Sequence, residues 1–228
     1  MKDLELEKVV PRVLGRSQKG QDSYIDRIFS VIPPENKFFV EFGAVDGEIS
    51  CNTWYLKHYK GWTGLWLDRD YHNPSINLFC EKITSNNIVS IFEKYKVPNK
   101  FDFLSIDIDG IDYWVLESIL GSYQPSVIMI ETNVRFDTYQ VAKLKNIENF
   151  QYTKGWYGAS PYAINKMAEN FGYKAVYLHL DDLFLVRRDK LSEADLAIEW
   201  KRIHPRRNIE LYNDHNDFVM NENNWVLE

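Results

Sequence analysis

Cysteine is nearly missing: Cys51 and Cys80 are the only two in 228 residues. Two cannot build a disulfide framework, and without CxxC spacing they read as core or helix residues, not as chemistry. Basic charge is also short, with 27 Lys and Arg against 33 Asp and Glu, a net charge of −6. Electrostatic nucleic-acid binders carry the opposite excess, so that class is excluded. Eleven Gly and eight Pro are too few for a collagen-like or low-complexity chain. No apolar run approaches the roughly 18 residues that would suggest a membrane span. The opening MKDLELEKVV alternates charge with aliphatics and has no continuous apolar core, so it does not read as a secretory signal. The expectation is a cytoplasmic globular protein built on one main domain, with neither nucleic acid nor membrane as partner.

Aromatics, by contrast, are abundant. Seven Trp, fourteen Tyr and thirteen Phe exceed what one core of this size needs, and the surplus could line a ligand cleft. Along the chain, QDSYIDRIFSVI puts Tyr24, Ile25, Ile28, Phe29 and Ile32 on one helical face before Pro33-Pro34 stops it. Strands are expected at 37–42, in GWTGLWLDRD up to Asp68, more weakly at 78–83, in FDFLSIDID and in PSVIMIETN. Helices are expected at 52–59, after a Ser85 cap, at 112–120, and from Ser160-Pro161 to Gly172. A long polar and aromatic loop covers 134–157. Residues 174–179 and 183–187 read as a hairpin about an Asp-Asp turn. This alternation predicts an α/β fold with a mostly parallel sheet covered on both faces. We expect a short arm at 1–20, a domain at 21–191, and a tail at 192–228 that packs on the domain or lids it.

Parallel sheets bind ligands beyond the carboxyl ends of their strands. Four of the five central strands end there in an acid: Glu41, Asp68, Asp107 with Asp109, and Glu131 with Asn133 beyond it. EFGAVDG (41–47) is a glycine-bearing turn between strand and helix, in which Gly43 permits a sharp turn and Gly47 a close backbone approach. It is neither GxGxxG nor a P-loop. Asp68, roughly 20 residues on, can accept hydrogen bonds from both ribose hydroxyls of a nucleoside cofactor, although an ion pair with Arg69 competes. In FLSIDIDGIDYW (103–114), Asp107, Asp109 and Asp112 would repel one another without a cation, a basic partner or solvent. Asp109 can serve a turn and Asp112 a helix start, which leaves Asp107 to face the site. Gly110 sits at position four of that loop, where an EF-hand needs glycine at six.

These strings together resemble the FkbM-type family of S-adenosylmethionine-dependent methyltransferases. SQKGQD (17–22), FVEFGAVDGEISCNTWYL (39–56), GWTGLWLD (61–68), FDFLSIDIDGIDYWVLE (101–117), VIMIETN (127–133), WYGASPYAINKMAENFGY (156–173) and LFLVRRDKL (183–191) occur in family order. The resemblance implies a Rossmann-like class I methyltransferase fold, a seven-stranded sheet ending in an antiparallel hairpin. It implies S-adenosylmethionine as cofactor. Glu41, Gly43, Ala44 and Gly47 would then cradle its methionine part, Asn52 and Thr53 would follow as a polar pair, Asp68 would bind ribose, Ile83 and Thr84 adenine, and Asp107 would adjoin the cofactor. The chain departs from the family where Glu41 replaces a common Asp, Val45 a common Asn, and Asp68-Arg69 a common Glu-Pro. The acceptor implied is a small molecule, a saccharide or another polyhydroxylated compound, methylated on oxygen.

Asp107 and the pair Glu131 and Asn133 end adjacent strands, which resembles metal-dependent O-methyltransferases. An oxygen-only set suits Mg²⁺ as Lewis acid and template. The same carboxylates could instead act alone, with Asp107 as base or substrate clamp, and Asp109 is the alternative metal ligand or base. His58, His72, His204 and His215 read as surface residues, while His179 at the hairpin is a candidate acceptor contact. KRIHPRR (201–207) reads as a solvated basic face. Trp156 and Tyr157 are compatible with sugar stacking. Two other classes stay open: a divalent-dependent nucleotide-sugar glycosyltransferase using Asp107 and Asp109, and a non-catalytic scaffold acting through its tail. Assembly into a homo-oligomer is also left open.

Overall fold

Strands and helices alternate from the first apolar-periodic segment onward. The computed structural model describes residues 2–10, 15–136, 138–147, 150, 157–203 and 225–227. Helix α1 (Gln21–Val31) leads into β1 (Phe38–Phe42), α2 (Trp54–Lys60), β2 (Thr63–Asp68), β3 (Leu78–Cys80), α3 (Ile88–Lys94) and β4 (Lys100–Ile106). Then come α4 (Asp112–Leu120), β5 (Gln124–Glu131), β6 (Ala142–Leu144), α5 (Pro161–Glu169), β7 (Tyr173–His179) and β8 (Asp182–Arg187). Short helices α6 (Glu193–Leu196) and α7 (Trp200–Ile203) and a last strand β9 (Trp225–Leu227) complete the order.

Seven strands form one sheet in the order β3-β2-β1-β4-β5-β8-β7. The first five pair in parallel, and β8 and β7 enter as an antiparallel hairpin beside β5. A separate antiparallel pair joins β6 to β9. The expected architecture is therefore the observed one. Alternation along each strand fills two cores. Val40, Phe42, Leu104, Ile106, Ile128 and Ile130 face α3, α4 and α5, whereas Phe39, Trp66, Phe103, Val127 and Met129 face α1 and α2. Chain order reverses on either side of β1, so the switch point between β1 and β4 sets where a crevice opens.

Several local features differ from the sequence expectation. The weak strand at 78–83 is paired only over Leu78–Cys80. Helix α3 starts after Asn87, not Ser85: Asn87 Oδ1 accepts the Thr84 N–H at 2.8 Å, while the Ser85 hydroxyl pairs with Asn146. The 134–157 loop contains β6. Cys51 is buried, but Cys80 is exposed, with Sγ donating to the Arg69 carbonyl at 2.9 Å. Ser160 does cap α5, accepting the Ala163 N–H at 3.1 Å with Pro161 as first helical residue. The arm is not loose: Leu4 and Leu6 are buried, and the Leu4 N–H donates to Asp195 Oδ1 at the start of the tail.

Candidate active site

The strand ends converge on one rim. Gly43 ends β1 with φ +71°, and a Cβ there would lie 2.1 Å from the Asp107 carbonyl oxygen, so the two central strand ends approach to a distance only glycine permits. Asp68 ends β2. Its Oδ2 accepts the Val45 N–H at 2.9 Å and its Oδ1 the Asp70 N–H at 2.8 Å, which ties the glycine turn to the neighbouring strand end. Between them lies a cavity of about 340 Å³, with Gly43, Asp68, Asp107 and Asp109 on its polar side and Leu67, Ile83, Ile111 and Phe150 on its apolar side. That size and mixture suit a nucleoside-sized ligand.

Not every expected contact reaches this cavity. Glu41 is 1% exposed beneath the rim. Its Oε1 accepts the Asn52 N–H at 2.7 Å, and Oε2 accepts the Thr53 N–H at 3.0 Å, the Thr53 hydroxyl and the Cys51 thiol. Glu41, Asn52 and Thr53 thus form a buried lock on the start of α2, and the Asn52 amide turns inward to Ser105. Ala44 is fully buried. Gly47, with φ +80°, makes its close approach to the Trp66 ring and Ile76. Thr84 is buried in the turn before α3, while Ile83 lines the cavity.

Beyond Asp107 the rim becomes acidic. Carboxylate oxygens of Asp107, Asp109 and Glu131 all lie within 4.8 Å of one another. Glu131 Oε2 is buried without a hydrogen-bond partner among the described residues. Burial first, and then neighbouring carboxylates, raise Asp107 and Glu131 well above the ordinary range. Burial also raises Asp109, against the pull of Arg69. Asp112 sits under this group, accepting the Ile108 and Gly110 N–H groups at 3.0 and 2.9 Å, and burial pushes it up to about 6. Asn133, the expected third ligand, follows Glu131 by two residues. It is fully buried, with Oδ1 accepting the Arg135 N–H and Nδ2 donating to the Tyr157 carbonyl, so its amide shapes the loop.

His179 is half-buried, its Nε2 2.8 Å from the Lys19 carbonyl, and burial lowers its pKa. Tyr157 is buried, which removes it as an open stacking face. Trp156, His204, His215 and residues 204–207 of the basic run lie outside the described residues. Sequence reasoning missed two acids. Asp102 on β4 is 1% exposed and accepts the N–H groups of Glu35, Asn36 and Lys37 at 2.6–2.8 Å. Asp182 opens β8 directly opposite Glu131. The Asp-Asp pair signalled the hairpin, but nothing in it told that the turn returns to the acidic rim.

The seven-stranded order, the glycine turn at the switch point and the acid closing β2 agree with the class I fold of an S-adenosylmethionine-dependent methyltransferase. The chain matches the family model of the methyltransferase FkbM domain over residues 43–175, and it belongs to that family. The methyltransferase reading therefore stands over the glycosyltransferase and scaffold alternatives. Similar solved structures include an O-methyltransferase from Bacillus cereus in complex with S-adenosylhomocysteine, at 15% identity and TM-score 0.45, covering 81% of this chain and 90% of that one. A SAM-dependent methyltransferase from Aquifex aeolicus is 13% identical with TM-score 0.40, covering 81% and 97%. MycE of the mycinamycin biosynthetic pathway, in complex with Mg, SAH and mycinamycin VI, is 13% identical with TM-score 0.43; the match covers 73% of this chain and 50% of MycE. No curated protein matches in sequence. Among the described residues, no helix is long and apolar enough to cross a membrane.

Proposed function

We propose that this chain methylates an oxygen of a saccharide or another polyhydroxylated small molecule, with a divalent ion held by Asp107, Asp109 and Glu131 on the acceptor side. The observation that carries this reading is Glu131, whose buried Oε2 has no partner among the described residues yet lies against two further carboxylates. Burial raises all three acids, and neighbouring carboxylates raise Asp107 and Glu131 further, which favours a cation among them. An oxygen-only set fits Mg²⁺, which would supply a Lewis acid for an acceptor hydroxyl. Asp109, not Asn133, is the third ligand in this reading.

S-adenosylmethionine, when bound, supplies an electrophilic methyl group. Gly43, which lines the cavity, would border its methionine part at the β1 turn. Each Asp68 oxygen already accepts one N–H and keeps a lone pair for a ribose hydroxyl. Ile83, Ile111 and Phe150 would flank the base. Glu41, Asn52 and Thr53 act indirectly, by fixing the loop that Gly43 begins, and Ala44, Gly47 and Thr84 likewise support the wall. Asp107 closes the cofactor side and opens the acceptor side, which suits it to orient the acceptor oxygen. Residues 21–191 would form the catalytic domain, with the 1–20 arm and the start of the 192–228 tail packed on it.

Isothermal titration with S-adenosylhomocysteine, in Mg²⁺ and then in EDTA, tests the reading. Binding is expected in both, and Asp68→Ala should weaken it about a hundredfold or more, since two charge-assisted hydrogen bonds are each worth about 1.5–3 kcal/mol. Unchanged affinity in that variant would remove Asp68 from the site. No binding by the wild type would leave the cofactor assignment untenable.

A further inference from the structure

The rim has two halves, and the second is closed by a segment that the family match does not cover. Asp68, Gly43 and Asp107 border the cavity on the β2, β1 and β4 side. Glu131, Asp182 and His179 end or begin β5, β8 and β7 on the other. Residues 17–22, SQKGQD, lie against that second half. Lys19 Nζ reaches both Asp181 oxygens, at 2.7 and 2.8 Å. Gln21 Nε2 donates to Asp182 Oδ2 at 2.8 Å, and its Oε1 accepts the Lys19 N–H at 2.8 Å. The His179 ring closes the loop on the Lys19 carbonyl and packs 4.4 Å from the Tyr24 ring. Gln21, Asp181 and Asp182 are all at least 95% buried.

The far side of this clamp touches β5. The Asp181 carbonyl accepts both the backbone N–H and the hydroxyl of Thr132, each at 2.7 Å. Thr132 follows Glu131, and Asp182 stands across from Glu131 in the β5–β8 register. A chain of short contacts thus runs from Lys19 through Asp181 and Thr132 to the backbone that carries Glu131. We infer that residues 17–22 wall the acceptor half of the site, and that Lys19 and Gln21 are positioning residues that hold Glu131 toward Asp107 and Asp109. This rests on the acceptor-side assignment proposed above. A charged, bidentate pair over a buried turn fixes geometry as well as attraction. Loosening it releases the end of β5 while leaving Gly43 and Asp68 untouched.

Lys19→Met and Lys19→Arg would be compared with the wild type by three readouts: S-adenosylhomocysteine affinity, Mn²⁺ affinity of the S-adenosylhomocysteine complex, and residue-resolved hydrogen exchange. In Lys19→Met, S-adenosylhomocysteine affinity should stay within about twofold, Mn²⁺ binding should weaken about fivefold, and the Thr132 amide should exchange about tenfold faster. Lys19→Arg should restore both losses, because its fork can span the same carboxylate. Removing a positive charge by itself would tighten Mn²⁺ binding, so weakening reports lost geometry. Unchanged or tighter Mn²⁺ binding in Lys19→Met would overturn the inference. So would cofactor affinity falling in step with Mn²⁺, which marks a general loss of stability. If the wild type binds no Mn²⁺, that failure belongs to the metal assignment, and the Thr132 amide decides: accelerated exchange there with cofactor affinity intact upholds the clamp, and unchanged exchange refutes it. Gln21→Met, which removes the second hydrogen bond without touching charge, should move the Thr132 amide in the same direction.

Discussion

Gly43→Ala probes the junction on which the cofactor reading depends. At φ +71° an alanine sits in the left-handed region, which costs about 1–2 kcal/mol. Its Cβ would also stand 2.1 Å from the Asp107 carbonyl oxygen. Ordinary carbon–oxygen contact begins near about 3.3 Å, so the β1 and β4 ends must part by roughly 1 Å. Forcing atoms into a packed interior costs about 1–3 kcal/mol. The sum, about 2–5 kcal/mol, falls within the 5–15 kcal/mol typical of a folded domain, so the variant should remain folded. Urea denaturation should show that loss. The displaced carbonyl belongs to Asp107, so S-adenosylhomocysteine affinity should fall about tenfold or more. Stability within about 0.5 kcal/mol of wild type would refute the packing argument. A large stability loss with cofactor affinity intact would instead show that the turn does not face the cofactor.

Two further outcomes rest on separate features of the same rim. Val45 holds φ 50°, a region that β-branched residues rarely occupy, and its N–H must stay aimed at Asp68. Val45→Asn should keep the hydrogen bond and relieve about 1 kcal/mol of strain, raising the melting temperature by a few degrees; a lower melting temperature would contradict it. Burial, with Asp181 adding to it, pushes the Asp182 carboxyl up to about 7. The folded state therefore holds a proton there that the unfolded state, near 3.9, has released, so this group's contribution is full below pH 4 and is lost as pH rises to 7. The loss should amount to about 4 kcal/mol at most. Asp182→Asn should accordingly gain stability relative to wild type across that interval, and a pH-independent difference between the two would sink the argument.

The fold was legible because period and punctuation agreed. Runs such as FDFLSI and PSVIMI are mostly apolar, too short for a helix and bounded by turn signals, and Ser160-Pro161 marks a helix start by a mechanism local to the chain. Features that depend on a distant partner were not legible. Ser85 reads as a cap in sequence, but its hydroxyl pairs with Asn146, 61 residues away, and the helix starts after Asn87. β3, at the sheet edge beside β2, pairs over three residues only. Along the cavity wall, Ile83 followed only from the family resemblance, whereas Gly43, Asp68 and Asp107 were readable from βα logic, since a strand end aims its last residues at the rim. Lys19 and Gln21 were not, because their partners lie some 160 residues away and no local periodicity records them.

The acids of this chain carry a more general argument. Glu41, Asp102 and Asp112 are at most 1% exposed, and each accepts two or more backbone N–H groups from a neighbouring loop or turn. Their negative charge answers donors that would otherwise be buried unpaired, so they are structural whatever their nearness to the cavity. Asp68 is intermediate: one N–H on each oxygen fixes its direction and leaves capacity toward the cavity. Glu131 lies at the other end of the series, with an oxygen that is buried and unanswered among the described residues. Residue type and strand-end position are the same in Glu41 and Glu131, and only the count of donors separates a lock from a ligand. Counting them ranks Glu131 and Asp107 above Glu41 as places where a bound cation or acceptor would be felt.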